Sequence, residues 1–273
     1  MVFKVLVTGF GPYGKTKINP SLSVIRNLAE ECNENGILII DKCGNNIYRD
    51  EDDNEDEGNN NGVVQVQVIA KQVTCEFNKC IQETESFVSK FAPNAIIMIG
   101  EYPGRSMVTL ERIAINYNDS TRYGLSDEAG YAPQGTPSVT GGPAAYFSSL
   151  PLRRIVKDLR SAGIPADISG DAGTLLCNHL MYGILHYLQQ PQPQQQPQNV
   201  SSIPCAGFVH LPALPEMASR EENLGMPSMT ADLSAKAVRC IIFSIFQQEM
   251  IRHQAGGSDN KDIDEPIKSR LLV

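Results

Sequence analysis

The sequence predicts an α/β chain folded around a largely parallel sheet, and two observations carry that prediction. Short β-branched runs alternate along the chain with segments of helical periodicity. Glycine and proline clusters break the chain at most of the junctions between them. "FKVLVTGF" (3–10) is a buried-strand signal ended by glycine, and after the loop "GPYGKTKINP" Pro20 and Ser21 open a helix, "SLSVIRNLAEEC". "ILII" (37–40) reads as a strand, and "VVQVQVIAKQV" (63–73) alternates as a strand does. "EFNKCIQETESFVSKF" (76–91) has helical spacing, and "NAIIMIG" (94–100) is another buried strand. In the second half, "PLRRIVKDLRSAG" (151–163) reads as a helix with a glycine stop, followed by the strand "PADISG". "DAGTLLCNHLMYGILHYL" starts at Asp171 and reads as a helix, "CAGFVHLP" (205–212) as a strand, and "MTADLSAKAVRCIIFSIFQQEM" (229–250) as a closing helix.

Composition narrows the class. The formal charge is −8, yet "DEDDNEDE" (50–57) supplies seven acids, so the rest of the chain carries −1. That balance gives no basic patch for nucleic acid. The acidic, Asn-rich stretch within 44–62 and the Gln/Pro-rich stretch within 189–202 cannot build a core, and both are expected to be disordered insertions in a single domain spanning 1–273. The tail from about 255 is expected to be mobile. Seven cysteines without CxxC or Cys/His zinc spacing point to reduced thiols and no metal site. With no signal peptide and no apolar run of membrane-spanning length, the expected location is the cytoplasm, with no membrane partner.

In a sheet of this kind the site lies at the C-terminal strand ends, where "TGFGPYG", "GEYPGR" and "HLPALPE" would open. Cys177 follows "AGT" at a strand-to-helix turn. In the first turn of a helix, free N–H groups and the dipole favour thiolate and can receive an oxyanion. A buried free cysteine is also an ordinary core residue, so both readings stand. A nucleophile needs a base, and there are four histidines. His179 is two positions from Cys177 and points elsewhere, His186 is nine positions along the same helix, and His253 adjoins the tail. His210 remains, at the end of a strand that would deliver it to the same sheet edge. Glu111, opening the run "IAIN", could orient the imidazole or could be a surface residue at a strand end; spacing alone favours the latter.

Taken together and in order, "VLVTGFGPYGKTKINPS", "ERIAIN", "GGPAAYF", "LPLRRIVKDLRSAGIPA", "AGTLLCNHLMYG" and "GFVHLPALPE" resemble pyroglutamyl peptidase type I, the pyrrolidone-carboxylate cysteine peptidases. The resemblance runs from Phe3 to about the closing helix. It implies a three-layer α/β/α sandwich and a cofactor-free omega-peptidase that removes N-terminal 5-oxoproline from peptides; a homo-oligomer is compatible with it. It also implies Cys177 as nucleophile, His210 as base and Glu111 as acid, with Phe10 and Tyr13 as pocket walls and Asn19 beside the pocket. Four positions depart from the family pattern or align loosely with it. Tyr13 replaces a phenylalanine, Leu175 stands where an aromatic often completes the pocket, and Glu101 stands in a loop that usually carries glutamine. Arg122 is the counterpart expected for a family arginine. The alternatives are a catalytically weak relative that binds pyroglutamyl peptides, and a nucleoside phosphorylase-like enzyme. "GFGPYGK" lacks the spacing of a phosphate loop, which counts against the second.

Overall fold

The computed structural model describes residues 2–13, 17–47, 62–191, 203–254 and 267–269. The two expected insertions and the expected mobile tail lie for the most part outside them.

The strands are β1 (Phe3–Phe10), β2 (Ile37–Asp41), β3 (Val63–Val73), β4 (Ala95–Glu101), β5 (Val108–Ile115), β6 (Asn118–Asp119), β7 (Gln134–Thr136), β8 (Ala145–Phe147), β9 (Ala166–Asp171) and β10 (Cys205–Leu211). The helices are α1 (Pro20–Glu31), α2 (Cys80–Phe91), α3 (Leu152–Ser161), α4 (Leu176–Gln189), α5 (Pro215–Ala218) and α6 (Ala231–Gln254). The main sheet runs β2-β3-β1-β4-β10-β5-β8, with β9 beside β5. β3, β1, β4 and β10 are parallel neighbours, as are β5 and β9. β5 meets β10 antiparallel, and β2 and β8 join antiparallel at the margins. β6 and β7 form a separate two-stranded ribbon. Among the described residues no helix is long and apolar enough to cross a membrane.

Strand periodicity divides the core into two layers. Val5 and Val7 of β1, Ile97 and Ile99 of β4, and Val209 and Leu211 of β10 pack with α1, α3 and α6. Leu6, Ile96, Met98, Ala206 and Phe208, on the alternate positions, pack with α2 and α4. This is the expected three-layer α/β/α sandwich, and it orients the site. His210 shares the parity of Ala206 and Phe208, so its side chain belongs to the α4 face.

Local chemistry sets the element ends. Asn19 caps α1, its side-chain oxygen accepting from the Ser21 amide at 2.9 Å, and Pro20 supplies the fixed φ of the first turn. α3 stops before Gly163, whose φ of +77° lets the Ile164 amide return to the Leu159 carbonyl. α2 begins at Cys80, four residues later than periodicity suggested. Residues 76–79 form a turn instead, pinned by Asp127, whose carboxylate accepts from the Phe77 amide at 3.0 Å.

Candidate active site

β1, β4 and β10 end at one edge of the sheet, and the N-terminus of α4 faces that edge. Cys177 is the second residue of α4. Two anchors fix the helix start there. The Asn178 side chain accepts from the Ile115 amide at 2.8 Å and donates to the carbonyls of Ile115 and Tyr117. Thr174 exchanges hydrogen bonds with the Asp119 backbone. Leu175 precedes the helix without a side-chain cap, so the first-turn amides are left to whatever occupies the adjoining space.

The sulfur of Cys177 lies against Gly100. A β-carbon on Gly100 would sit 3.0 Å from that sulfur and 2.8 Å from the Phe208 ring, so glycine is what allows the thiol to approach the sheet. Gly100 is the ladder partner of His210 across β4 and β10. The chain thereby brings thiol and imidazole to neighbouring positions on one face. Gly100→Ala is expected to displace the thiol and lower kcat by about 10²-fold, the usual effect of misplacing a reacting atom by about 1 Å. A steady-state assay on the folded variant reads it.

Behind His210 stands Glu111, fully buried at the middle of β5. One carboxylate oxygen lies 2.7 Å from His210 Nδ1 and 2.7 Å from Arg105 Nη1. Arg105 also donates to the hydroxyls of Thr109 and Ser169 and stacks 3.9 Å over the Tyr102 ring. Burial alone would raise the Glu111 pKa, but the hydrogen bond and charge of His210, then Arg105 and Ser169, hold it below the usual carboxylate range. An ionised carboxylate only accepts, so the His210 proton sits on Nδ1 and the lone pair on Nε2. Tyr102 packs on the imidazole edge-on at 5.3 Å, and Phe208 tilts against it at 4.9 Å.

The thiol departs from the sequence-based expectation of a thiolate. Cys177 borders the pocket and is partly exposed, yet its sulfur is packed among protein atoms. This desolvation raises its pKa, and the nearby charge of Glu111 adds to the rise. In the resting site burial therefore works against the thiolate that the first turn of α4 favours.

Beside the thiol is a cavity of about 300 Å³, lined by Phe10, Tyr13, Asn19, Glu101, Pro103, Tyr123, Leu125, Leu175, Leu176 and Cys177. Five of the six side chains expected around a substrate therefore meet here, while Arg122 does not. It lies exposed on the turn 121–123 with its guanidinium over the Tyr123 ring, and Tyr123 and Leu125 form the wall in its place. The Asn19 amide is occupied by the helix cap and by donation to the Gly11 carbonyl. Burial pushes the Tyr13 phenol up to about 12, the charges of Cys177 and Asp127 adding to it, so it stays protonated. Leu175 and Phe10 give the cavity apolar sides.

Two of the other three histidines have structural partners, and His253 lies exposed near the end of α6. His179 bonds the Phe77 carbonyl and Asn118, and burial pushes it down to about 4; His186 bonds Tyr146. The sequence reading missed Arg105, although it stands in the "GEYPGR" loop. The signal for it was a lone arginine in a turn before a strand that carries a carboxylate.

Glu101 also affects stability. Burial pushes its carboxyl up to about 7 from 4.5. Between those values the folded protein keeps a proton that the unfolded chain releases, so stability falls as pH rises through that window and the loss is complete above about 7. A Glu101→Gln variant does not titrate there. Its Tm advantage over the parent is expected to grow between about pH 4.5 and about pH 7 and then level off.

Known proteins resemble this chain along its length. The family model described as pyroglutamyl peptidase matches residues 3–53 and 52–248. The pyrrolidone-carboxylate peptidases of Mycobacterium bovis and Mycobacterium tuberculosis are each 39% identical over 271 residues, 99% of either chain. That of Bacillus cytotoxicus is 36% identical over 254 residues, 93% of this chain and 98% of its own. Of solved structures, pyroglutamyl peptidase I from Bacillus amyloliquefaciens superposes with a TM-score of 0.69 at 31% identity, covering 90% of this chain and 95% of that one. The pyrrolidone carboxyl peptidase of Thermococcus litoralis gives 0.72 at 27% identity, covering 97% and 100%.

Proposed function

The chain belongs to the pyroglutamyl peptidase family, and from that premise we propose that Cys177, His210 and Glu111 carry its reaction. As a cysteine omega-peptidase it removes an N-terminal 5-oxoproline residue from peptides. The observation that supports this assignment of roles is the thiol seated on Gly100 beside an imidazole that Glu111 holds by Nδ1.

In this reading His210 Nε2 takes the Sγ proton as the sulfur attacks the scissile carbonyl carbon. Forming the imidazolium next to Glu111 offsets the cost of ionising a desolvated thiol. The carbonyl oxygen, now an oxyanion, accepts from the uncapped amides at the start of α4. The tetrahedral intermediate then collapses with cleavage of the C–N bond, and the imidazolium gives its proton to the leaving amine. The product is a thioester between Cys177 and 5-oxoproline. Water, deprotonated by the same Nε2, attacks the thioester and restores the thiol.

The substrate ring is small, flat and uncharged, and the cavity beside the thiol has apolar walls to match. Phe10, Tyr13 and Leu175 would enclose the ring, with Tyr123 and Leu125 closing the side toward solvent. All seven cysteines are free, which suits a reducing cytoplasm. The test is hydrolysis of pyroglutamyl-7-amido-4-methylcoumarin against the alanyl analogue. Release of the first alone, lost in Cys177→Ala, is the expected result. Equal release of both would remove lactam specificity, and release by the Cys177→Ala chain would remove the nucleophile.

A further inference from the structure

Glu101 is a carboxyl of the pocket that no hydrogen bond among the described residues accounts for. Its Oε1 is buried with no hydrogen-bond partner among the described residues, and the side chain lines the cavity beside Cys177. A buried oxygen of this kind carries a desolvation cost that a bound ligand can relieve.

The chemistry of the ligand decides which form of the carboxyl can relieve it. A five-membered lactam holds its N–H and C=O cis, side by side on one ring edge. A neutral carboxylic acid presents a donor and an acceptor at matching spacing, so the two pair through a closed ring of two hydrogen bonds. A carboxylate has only acceptors. It could take the N–H, but its second oxygen would face the lactam oxygen lone pair to lone pair in a desolvated site.

Resting on the peptidase reading above, we propose that the neutral carboxyl of Glu101 reads the lactam edge, donating to the ring oxygen and accepting from the ring N–H. Substrate binding is thereby gated by one proton on the enzyme.

The surroundings favour this. Glu101 ends β4, paired in the ladder with Leu211 of β10 next to His210. Tyr13 and Asn19 border it from the segment after β1, Cys177 from α4, and Tyr123 from the turn before Leu125. Asn19 is occupied by the helix cap, and Tyr13 is a neutral phenol. The nearest cation on its own loop, Arg105, is engaged by Glu111, Thr109, Ser169 and Tyr102. Among the described residues Glu101 thus has no counter-charge to hold it ionised, and desolvation leaves it titrating at about 7. Its ionised form also raises the Cys177 pKa, so binding and thiol activation weaken together as the proton leaves.

The experiment is calorimetric titration of L-pyroglutamyl-L-alaninamide into the full chain carrying Cys177→Ala, with and without Glu101→Gln. With Glu101 present, Kd is expected to rise about thirtyfold between about pH 5.5 and about pH 8.5, because only the protonated fraction binds. At the higher pH, binding should take up close to one proton, seen as a dependence of the measured heat on the buffer. Glu101→Gln offers the same donor-acceptor pair without titrating, so its Kd should stay flat and its buffer dependence vanish. A Kd with Glu101 that ignores pH, or a slope that Glu101→Gln retains, overturns the proposal. If Glu101→Gln fails to fold, proton uptake by the parent decides alone. Turnover of the coumaryl substrate by the chain with Cys177 intact tests the peptidase reading separately: no hydrolysis with proton-gated binding would sink that reading and leave the role of Glu101 standing.

Discussion

Cys177→Ser is expected to lower kcat on a pyroglutamyl coumarylamide by about 10⁴-fold or more, close to the effect of removing a nucleophile outright. The replacement is nearly isosteric, so the seat on Gly100 and the anchors of Asn178 and Thr174 should survive. What changes is the atom that must give up a proton. Burial already raises the pKa of the thiol, and an alcohol starts much further from the proton affinity of imidazole. His210 can bridge the gap for sulfur and not for oxygen. Binding of a pyroglutamyl peptide should change little, since the cavity walls are untouched. Labelling by iodoacetamide gives a second reading. In the parent, Cys177 alkylation should depend on His210 and slow at least tenfold in His210→Ala, because the imidazole is the proton acceptor that makes thiolate available. Turnover retained by Cys177→Ser, or labelling indifferent to His210, would mean that sulfur and imidazole do not cooperate.

Much of the frame was legible because its signals are local. β3 spans the eleven residues that alternation indicated, and α6 differs from its expected span by two residues at the start and four at the end. β7 and β8 are three residues each, too short for any period to register, and the expected core gave no reason for them. The antiparallel meeting of β5 and β10 was equally hidden, since strand direction leaves no mark on a β-branched run. In the site, His210 emerged by elimination, but Glu111 needed the fold: it lies 99 positions away in sequence, and only β5 beside β10 brings it to the imidazole. Arg122 failed as a pocket residue because the Gly124 turn, at a φ of +63°, carries the chain so that Tyr123 and Leu125 face the cavity. The rise in the thiol pKa was missed for a related reason. A helix N-terminus can be read from sequence, whereas the packing of a sulfur onto Gly100 and Phe208 cannot.

Glu111→Gln is expected to damage both catalysis and stability, and pH separates the two. The amide can no longer act as a charged acceptor for both His210 Nδ1–H and Arg105, so the imidazole loses the partner that fixes its tautomer and steadies its cation. A loss of about 10³- to 10⁴-fold in kcat follows from that, with KM nearly unchanged because Glu111 does not line the cavity. Arg105, whose side chain is only 16% exposed, is left without its counter-charge. Breaking a buried pair from one side costs about 3 kcal/mol. The folded-state pKa of Glu111 is depressed, so its contribution to stability is fully present above the unfolded value and is lost as pH falls through the folded one. The stability gap between parent and variant should therefore hold across neutral pH and close on acidification below about pH 4. The kcat deficit should persist wherever both proteins are folded. Restoring stability by also replacing Arg105 with methionine should leave kcat low. If kcat instead recovered along with the melting temperature, Glu111 would serve to hold Arg105 in place, and His210 would have to work as a base without an acid behind it.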